Sequence, residues 1–349
     1  MTTFLQIHLL TQYPPANLNR DDTGRPKTAM FGDVPRLRIS SQALKRAWRT
    51  SDGFRKALEG HTGERTRRLG DVVEEHLTAQ GTDEKQARRI ARTVADVFGK
   101  VRPESDKNDK NPTHIEQLAF ISPEERQTAL EFAARMAAGE TIDPKKTPVL
   151  RRADTAVDIA MFGRMLADDP DYNREAAVQV AHAITTHKVI VEDDYYTAVD
   201  DLKKPTEGAG AEFISETGFA AGLFYIYLCI DRDLLVRNLD GDEALATRGI
   251  AALLEAAATE SPRGKQASFA SRARASYVMI ERGATAPRTL AAAFAAPIGG
   301  GDILARSIAA LEDLRERFAS CYGDETEMSR MDVMRSEGSL ASLADFVGA

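Results

Sequence analysis

The sequence has few cysteines and no long uninterrupted hydrophobic segment. The two cysteines, Cys229 and Cys321, are too few for the disulfide framework of a secreted domain, so a reducing, cytoplasmic environment is predicted. The longest apolar run, from Phe219 to Ile230, is too short to cross a bilayer as a helix. The opening MTTFLQIHLL lacks the basic region and cleavage pattern of a signal peptide. No membrane association is predicted.

The sequence also lacks the short motifs that mark common enzyme and cofactor sites. It contains no H-E-x-x-H, no G-x-S-x-G, no C-x-x-C and no G-x-G-x-x-G after a predicted strand. The Gly299-Gly300-Gly301 turn is not followed by the Lys-Ser/Thr of a P-loop. We therefore predict no catalytic group, no metal and no cofactor. Hydrophobic content of 43% and charged content of 28% over 349 residues indicate a globular protein with about two domains' worth of chain.

Charge is unevenly distributed along the chain. The whole protein carries a formal net charge of −7, but residues 17–49 contain eight basic and three acidic side chains. This segment therefore carries +5 against −12 for the remainder. A basic segment on an acidic background is typical of a confined polyanion site rather than of a protein that binds nucleic acid over its whole surface.

The end of the basic segment has the pattern of a strand followed by a helix. Arg36 to Ile39 alternate as in a half-buried strand, and Ser40 and Ser41 offer hydroxyls that can cap a helix predicted from about Gln42 to residue 58. At 100° per residue the apolar side chains, including Trp48, gather on one side of this helix. The opposite side, together with the upstream loop, is a candidate phosphate-binding surface that holds Gln42, Lys45, Arg46 and Arg49. A merely solvated basic face remains the alternative.

The rest of the chain alternates between predicted helices and strands. A first strand covers residues 4–10, with His8 expected to be a hydrogen-bonded sheet residue. Residues 64–140 have a helical pattern, with a capping box at Ser122 to Glu125. Further predictions are a helix over 174–188, a β-hairpin or extended arm over 189–223, a covered strand over 223–230, helices over 241–259 and 303–319, a strand or strand pair over 266–281, and an irregular carboxyl terminus.

Three blocks of the sequence resemble, in the same order, the backbone subunit of the type I-E CRISPR Cascade complex, which is the CasC family of the RAMP superfamily. They are NLNRDDTGRPK with FGD-x-x-R-L-R-I-S-S-Q-A-L-K-R-A-W-R in residues 17–49, VDIAMFGRM in residues 157–165, and AHAITTHKV through YYTAVDDL in residues 181–202. The resemblance runs from residue 1 to about residue 230 and fades afterwards. Three long ordered motifs are far more specific than one short pattern.

The resemblance implies an α+β fold. It consists of an RRM-like (ferredoxin-like) palm, a helical insertion domain, also called the fingers, and a protruding β-hairpin thumb. On this sequence the palm covers residues 1–58, 181–188 and 223–349, the fingers cover 59–180, and the thumb arm covers 189–222. Tyr225 and Tyr227 then lie either in a covered core or on an RRM-type stacking platform, and the apolar residues around them favour the core.

The resemblance also implies a function, which is to bind guide RNA (crRNA) in the Cascade surveillance complex. Copies of the subunit would associate head to tail along the crRNA, kink it with the thumb and present bases for pairing with target DNA. The other partners would be the remaining Cascade subunits and a recruited helicase-nuclease. The chain itself would not be an enzyme.

Carried over position by position, the resemblance implies RNA contacts from the basic segment, from the second block and from the arm. Arg164 would contact phosphate, Met165 would support a displaced base, and Tyr195, where Trp is more usual in the family, would stack more weakly. Without the resemblance, Met165 would be read as core filler, and the two tyrosines could equally pack the arm on the body. The implied contact residues are Arg20, Lys27, Ser40, Gln42, Lys45, Arg46, Arg49, Arg164, Met165, Tyr195, Tyr196 and Thr197.

Two other functions remain possible on the sequence alone. One is a metal-dependent RNase of the same superfamily, in which Asp33 would be the catalytic aspartate; type I-E proteins often have Gly there, so we expect Asp33 to be structural. The other is an enzyme whose basic loop binds a phosphorylated small molecule. Basic residues spread over several segments favour a long polyanion over a single phosphate.

Overall fold

The computed structural model describes residues 2–103, 111–143, 146–166, 168–198 and 213–348. The chain divides into two compact units. Unit 1 contains residues 1–54, 180–229 and 251–349, and unit 2 contains residues 55–179 and 230–250. Helices and strands are mixed along the chain, so the α+β class is confirmed. The tip of the predicted arm, residues 199–212, lies outside the described residues.

Unit 1 is built mainly on an antiparallel sheet whose strands are not in the order of the sequence. Its strands follow the order β11-β10-β1-β9-β7-β3-β2, and β6 and β8 also pair with β9. The described registers of β1 with β10, β10 with β11, β3 with β7, β7 with β9 and β8 with β9 are all antiparallel. The strands of this sheet are β1 (Phe4–Ala16), β2 (Thr28–Phe31), β3 (Val34–Ile39), β6 (Val178–Val180), β7 (Ala183–Thr185), β8 (Glu192–Ala198), β9 (Phe213–Asp231), β10 (Ala275–Gly283) and β11 (Glu327–Asp332).

The central parts of β1 and β9, residues 5–10 and 222–230, are covered on both faces. In β1 the run from Leu5 to Leu10 is fully buried, including His8. Its imidazole Nδ1 lies 2.9 Å from the hydroxyl of Tyr225, which confirms the prediction of a hydrogen-bonded sheet histidine. Tyr225 and Tyr227 are themselves buried among Phe294 and other core residues, so they belong to a covered core and are not a stacking platform.

Most of the predicted helices are present with changes in their ends, and the structure adds short helices that were not predicted. The predicted helix over 42–58 is broken into two, and the helix over 303–319 extends a few residues further. The described helices are α1 (Ser41–Arg49), α2 (Asp52–Ala57), α3 (Leu69–Ala79), α4 (Glu84–Ala95), α5 (Pro123–Ala137), α6 (Val157–Phe162), α7 (Arg232–Asn238), α8 (Glu243–Thr259), α9 (Gln266–Phe269), α10 (Ile303–Tyr322) and α11 (Leu340–Gly348). None of the described helices combines the length and apolarity needed to cross a membrane.

Unit 2 has its own core, built largely from α3, α4 and α5. Ile90, Val94 and Phe132 are among the buried side chains of this cluster. The predicted capping box is confirmed, since the Ser122 hydroxyl accepts from the Glu125 backbone N–H while the Glu125 carboxylate accepts from the Ser122 N–H. A short two-stranded sheet, β4 (Glu64–Thr66) with β5 (Ala119–Ile121), accompanies the helices.

Three predictions of secondary structure are wrong. Residues 174–188 form β6 and β7 instead of a helix, because Ile184 pairs across the sheet with Tyr225. Within 266–281, residues Gln266–Phe269 are helical and the strand starts only at Ala275. The carboxyl terminus, expected to be irregular, contains β11 and α11. In these regions the structure was decided by pairing with distant strands or by short local helices. The predictions had used only the periodicity of the neighbouring sequence.

Candidate nucleic-acid interface

Helix α1 presents a basic face next to a buried apolar one. Leu44 and Trp48 are buried at 1% and 0% exposure, which fixes the helix on unit 1. Gln42 and Arg46 are exposed, and Lys45 and Arg49 are half-buried. Burial lowers the pKa of the Lys45 ammonium, because desolvation disfavours its charged form. The predicted division of this helix into an apolar and a basic side is therefore confirmed.

Ser40 acts on the backbone of this helix. Its hydroxyl accepts a hydrogen bond from the Ala43 N–H at 3.3 Å, and its own N–H donates to the side-chain oxygen of Asn19 at 2.9 Å. The side chain of Ser40 is buried, so its observed role is that of the N-cap. Through Asn19, the same residue links the start of α1 to the upstream basic loop.

The upstream loop, residues 17–27, is a compact turn. The Asp21 carboxylate accepts hydrogen bonds from the backbone N–H groups of Thr23 and Arg25 at 2.9 and 3.0 Å. The buried Asn17 amide donates to the carbonyls of Gly24 and of Gly218 in β9, both at 2.9 Å. The loop that carries Arg20 is thereby attached to the β8–β9 ladder.

Lys27 and Arg38 form a second group of cations on unit 1. The Arg38 guanidinium lies 2.7 Å from Nδ1 of His182. Burial, followed by the positive charges of Arg38 and Lys27, lowers the pKa of the His182 imidazole below its usual value. The histidine is accordingly neutral at pH 7 and can accept a hydrogen bond from Arg38, which leaves the group's net charge positive.

Arg36, in contrast, is entirely structural. Its guanidinium is fully buried and donates to the carbonyls of Phe31, Thr185 and Phe294 at 3.1, 3.0 and 2.8 Å. One of the eight basic side chains of the segment therefore stabilises the fold and does not face a ligand. The alternating sequence pattern did not distinguish it from Arg38.

The predicted contact of Arg164 with phosphate is contradicted. The Arg164 side chain is 1% exposed, and its Nη1 lies 2.6 Å from the equally buried carboxylate of Glu125. It also donates to the carbonyls of Phe120, Arg151 and Tyr172. A guanidinium with this set of partners holds unit 2 together and is not available to a nucleic acid.

The next residue, Met165, is 77% exposed. It is therefore not core filler, and the prediction that it supports a base stays open. It lies in unit 2, whereas the other predicted contact residues apart from Arg164 lie in unit 1.

Tyr195, Tyr196 and Thr197 lie on β8, where they pair with Glu216, Ser215 and Ile214 of β9. Successive residues of a strand point to opposite faces, so the two tyrosines do not form one aromatic platform. Tyr195 is 64% and Tyr196 41% exposed, so neither is part of the core. Hydrogen bonds to Ser215 and Thr217 lower the pKa of the Tyr196 phenol, and nearby Lys265 adds to this shift.

Asp33 occupies a tight turn between β2 and β3. Phe31 pairs with Val34, and the two loop residues, Gly32 and Asp33, have φ of 61° and 59°. Two successive residues with positive φ define the favoured two-residue hairpin turn, in which Asp is tolerated. No group of three or more metal-ligating side chains occurs in the described ranges. Asp33 thus has a place in the β2–β3 hairpin, and its structural role stays a prediction.

A cleft of about 520 Å³ brings together residues that are far apart in the sequence. We call it the β8–β9 cleft. Its lining includes Arg20 of the basic loop, Tyr196 of β8 and Lys265, a residue that the sequence analysis missed. The only local signal for Lys265 is the Pro262-Arg263-Gly264-Lys265 run, a turn with two cations.

The fold is thus α+β with an antiparallel sheet, and α1 of unit 1 presents a basic face. Comparison with known proteins identifies the family. The chain belongs to the CT1975-like protein family, whose sequence profile matches residues 5–346. The predicted relation to CRISPR Cascade subunits is confirmed. No curated protein matches the chain.

Solved structures agree with this family. One chain, from a structure described as "CRISPR RNA-guided surveillance complex, pre-nicking", has a TM-score of 0.87 at 30% identity, with 99% of both chains covered. Another, from a structure described as "CRISPR RNA-guided surveillance complex", has a TM-score of 0.75 at 25% identity, again with 99% of both chains covered. These likenesses include residues 230–349, where the sequence resemblance fades.

Proposed function

We propose that this chain is a crRNA-binding backbone subunit of a CRISPR Cascade surveillance complex. The observation that supports this most directly is the basic surface of unit 1, formed by α1 and the 17–27 loop within an acidic protein. Lys and Arg side chains on this surface would contact phosphates without reading sequence. Membership of the family and likeness to surveillance-complex chains supply the biological context.

The order of the strands supports an RRM-like palm within unit 1. The elements β1, α1, β7, β9, α8 and β10 follow one another as strand-helix-strand-strand-helix-strand. In the sheet the first of these strands lies between the last and the third, as in ferredoxin-like folds. We assign unit 2 as the fingers and the β8–β9 arm as the thumb.

In this proposal the copies of the subunit associate head to tail along the crRNA, since a heterologous contact of this kind generates a filament. The thumb of each copy covers a nucleotide and leaves the intervening bases available. Pairing of the guide with target DNA then supplies sequence specificity. The chain performs no catalytic step; it acts in the cytoplasm with the other Cascade subunits, and a recruited helicase-nuclease cleaves the target.

The first test is to purify the chain after co-expression with a CRISPR array and its neighbouring proteins. A high ratio of absorbance at 260 to 280 nm, with repeat-derived RNA of uniform length, is the expected result. A nucleic-acid-free monomer would instead favour the phosphorylated small molecule as ligand.

The second test reverses charges on α1. The double variant Lys45→Glu/Arg49→Glu should weaken RNA binding for any sequence and flatten its salt dependence by about 0.7 in log–log slope per lost phosphate contact. The matched control is Arg306→Glu/Arg317→Glu, which makes the same change in charge at exposed positions of α10 in the same unit. Equal behaviour of the two variants would remove α1 from the RNA-binding surface.

A further inference from the structure

The β8–β9 cleft contains cations that differ in how they are used. The Arg25 guanidinium lies 2.8 Å from the Asp193 carboxylate, so these two charges neutralise each other. The Asp21 carboxylate is occupied by the turn of its own loop. Lys265, by contrast, makes no ion pair with any part of the chain that the structure describes. No carboxylate in that part of the chain therefore neutralises this ammonium, and the residue lines the cleft.

The backbone holds Lys265 in an unusual conformation. Its φ of 50° and ψ of 27° are left-handed, a region that non-glycine residues seldom adopt. The preceding Gly264 lies directly on the basic loop, since a Cβ there would come within 2.3 Å of the Leu18 carbonyl oxygen and 2.6 Å of that of Asn17. The contact fixes Lys265 beside the segment that carries Arg20. Strained residues held by their surroundings in this way are frequent at functional sites.

The remaining lining indicates which ligand suits the cleft. Asp22 and Glu216 also line it, so it does not attract anions in general. A ribonucleotide within an RNA strand offers both kinds of group: a phosphate for a cation, and a 2′-hydroxyl that can donate to a carboxylate. The exposed ring of Tyr196 is a surface on which a base can stack.

We infer that Lys265 binds a phosphate of the RNA strand in the β8–β9 cleft, as an additional contact beyond those on α1 and the 17–27 loop. This inference rests on the proposed RNA-binding function. It adds a third chain segment, distant in sequence, to the phosphate-binding surface of unit 1.

The conformation of Lys265 allows a test that separates contact from folding. Asparagine tolerates left-handed backbone and glycine favours it, so Lys265→Asn and Lys265→Gly remove the charge without adding strain. Lys265→Arg keeps the charge, and Arg317→Gln is the control that removes one exposed charge from α10. Binding of a single-stranded RNA of repeat–spacer sequence is measured over a range of salt concentrations, with thermal unfolding measured in parallel.

Lys265→Asn and Lys265→Gly should bind RNA about five- to tenfold more weakly at low salt, with a flatter salt slope and an unchanged melting temperature. Lys265→Arg and Arg317→Gln should both bind as the unmodified chain does. If the Asn and Gly variants bind normally while Lys45→Glu/Arg49→Glu does not, the inference about Lys265 is wrong and the proposed function stands. If all of these variants bind normally, neither α1 nor Lys265 contacts the RNA. If the unmodified chain itself does not bind this RNA, the proposed function fails.

Discussion

Replacing Arg164 by Met should destabilise unit 2 strongly. The substitution leaves the Glu125 carboxylate fully buried without its cation, 2.6 Å from where Nη1 had been. It also removes the donors to the carbonyls of Phe120, Arg151 and Tyr172. Breaking a buried ion pair in this way costs about 3–5 kcal/mol, mainly because an uncompensated charge stays in the interior.

The magnitude translates into a measurable change in melting temperature. At about 2–4 °C per kcal/mol for a domain of this size, the loss corresponds to about 6–20 °C. Circular dichroism during heating of the purified chain would measure it. The double variant Glu125→Gln/Arg164→Met also removes the unpaired charge of Glu125, while Gln preserves the capping interaction with Ser122. It should therefore recover much of the lost melting temperature.

The same variant distinguishes a structural Arg164 from a phosphate contact. Below its melting temperature, Arg164→Met should bind RNA with the affinity and salt slope of the unmodified chain. If the melting temperature is unchanged and RNA binding weakens with a flatter salt slope, then Arg164 contacts the RNA and the structural role of Arg164 is refuted.

Three further outcomes are expected. Gly32→Ala should be strongly destabilising in denaturant titrations, because its Cβ would lie 1.6 Å from the Ala295 carbonyl oxygen, whereas Asp33→Gly should retain the stability of the hairpin. Burial lowers the pKa of His8 below 6.5, and for Glu281 the nearby His8 and Arg288 outweigh the opposing effect of burial and lower the pKa below 4.5. The unfolded chain therefore binds more protons in acid, and stability should fall as pH drops below 6.5 and again below 4.5, with His8→Gln removing the first step. Tyr196→Ala should reduce nuclease protection of bound RNA more than a change at the opposite face of β8; equal protection patterns would mean that Tyr196 does not touch RNA.

The sequence allowed prediction of those features that depend on local spacing. The two sides of α1 follow from periodicity within nine residues, and the capping box at Ser122 follows from a four-residue pattern. The class of fold and the family followed from ordered motifs. The helix sides and the capping box could be predicted because each is contained within one short window of the chain, and the family could be predicted because each of its motifs is.

Features that depend on distant partners could not be predicted in the same way. Arg164 looks like a surface cation until Glu125, thirty-nine positions earlier, is placed beside it. Residues 174–188 have helical spacing, but pairing of Ile184 with Tyr225 makes that region a strand. Lys265 gains its significance only from Gly264 packing on Leu18. In each case the deciding contact joins segments that no sequence window covers together.

The fully buried Arg36 has a consequence for the order in which the chain can fold during synthesis. The residue leaves the ribosome early, but two of its acceptors, on Thr185 and Phe294, are translated much later. Strand β1, in the same unit, likewise pairs with β10, which is synthesised near the end of the chain. Because synthesis proceeds from the amino terminus, the helices of residues 55–179 can pack their hydrophobic core before the sheet of unit 1 is complete. The basic surface at the start of the chain is therefore among the last parts to fold, and it forms only on a chain that is nearly complete.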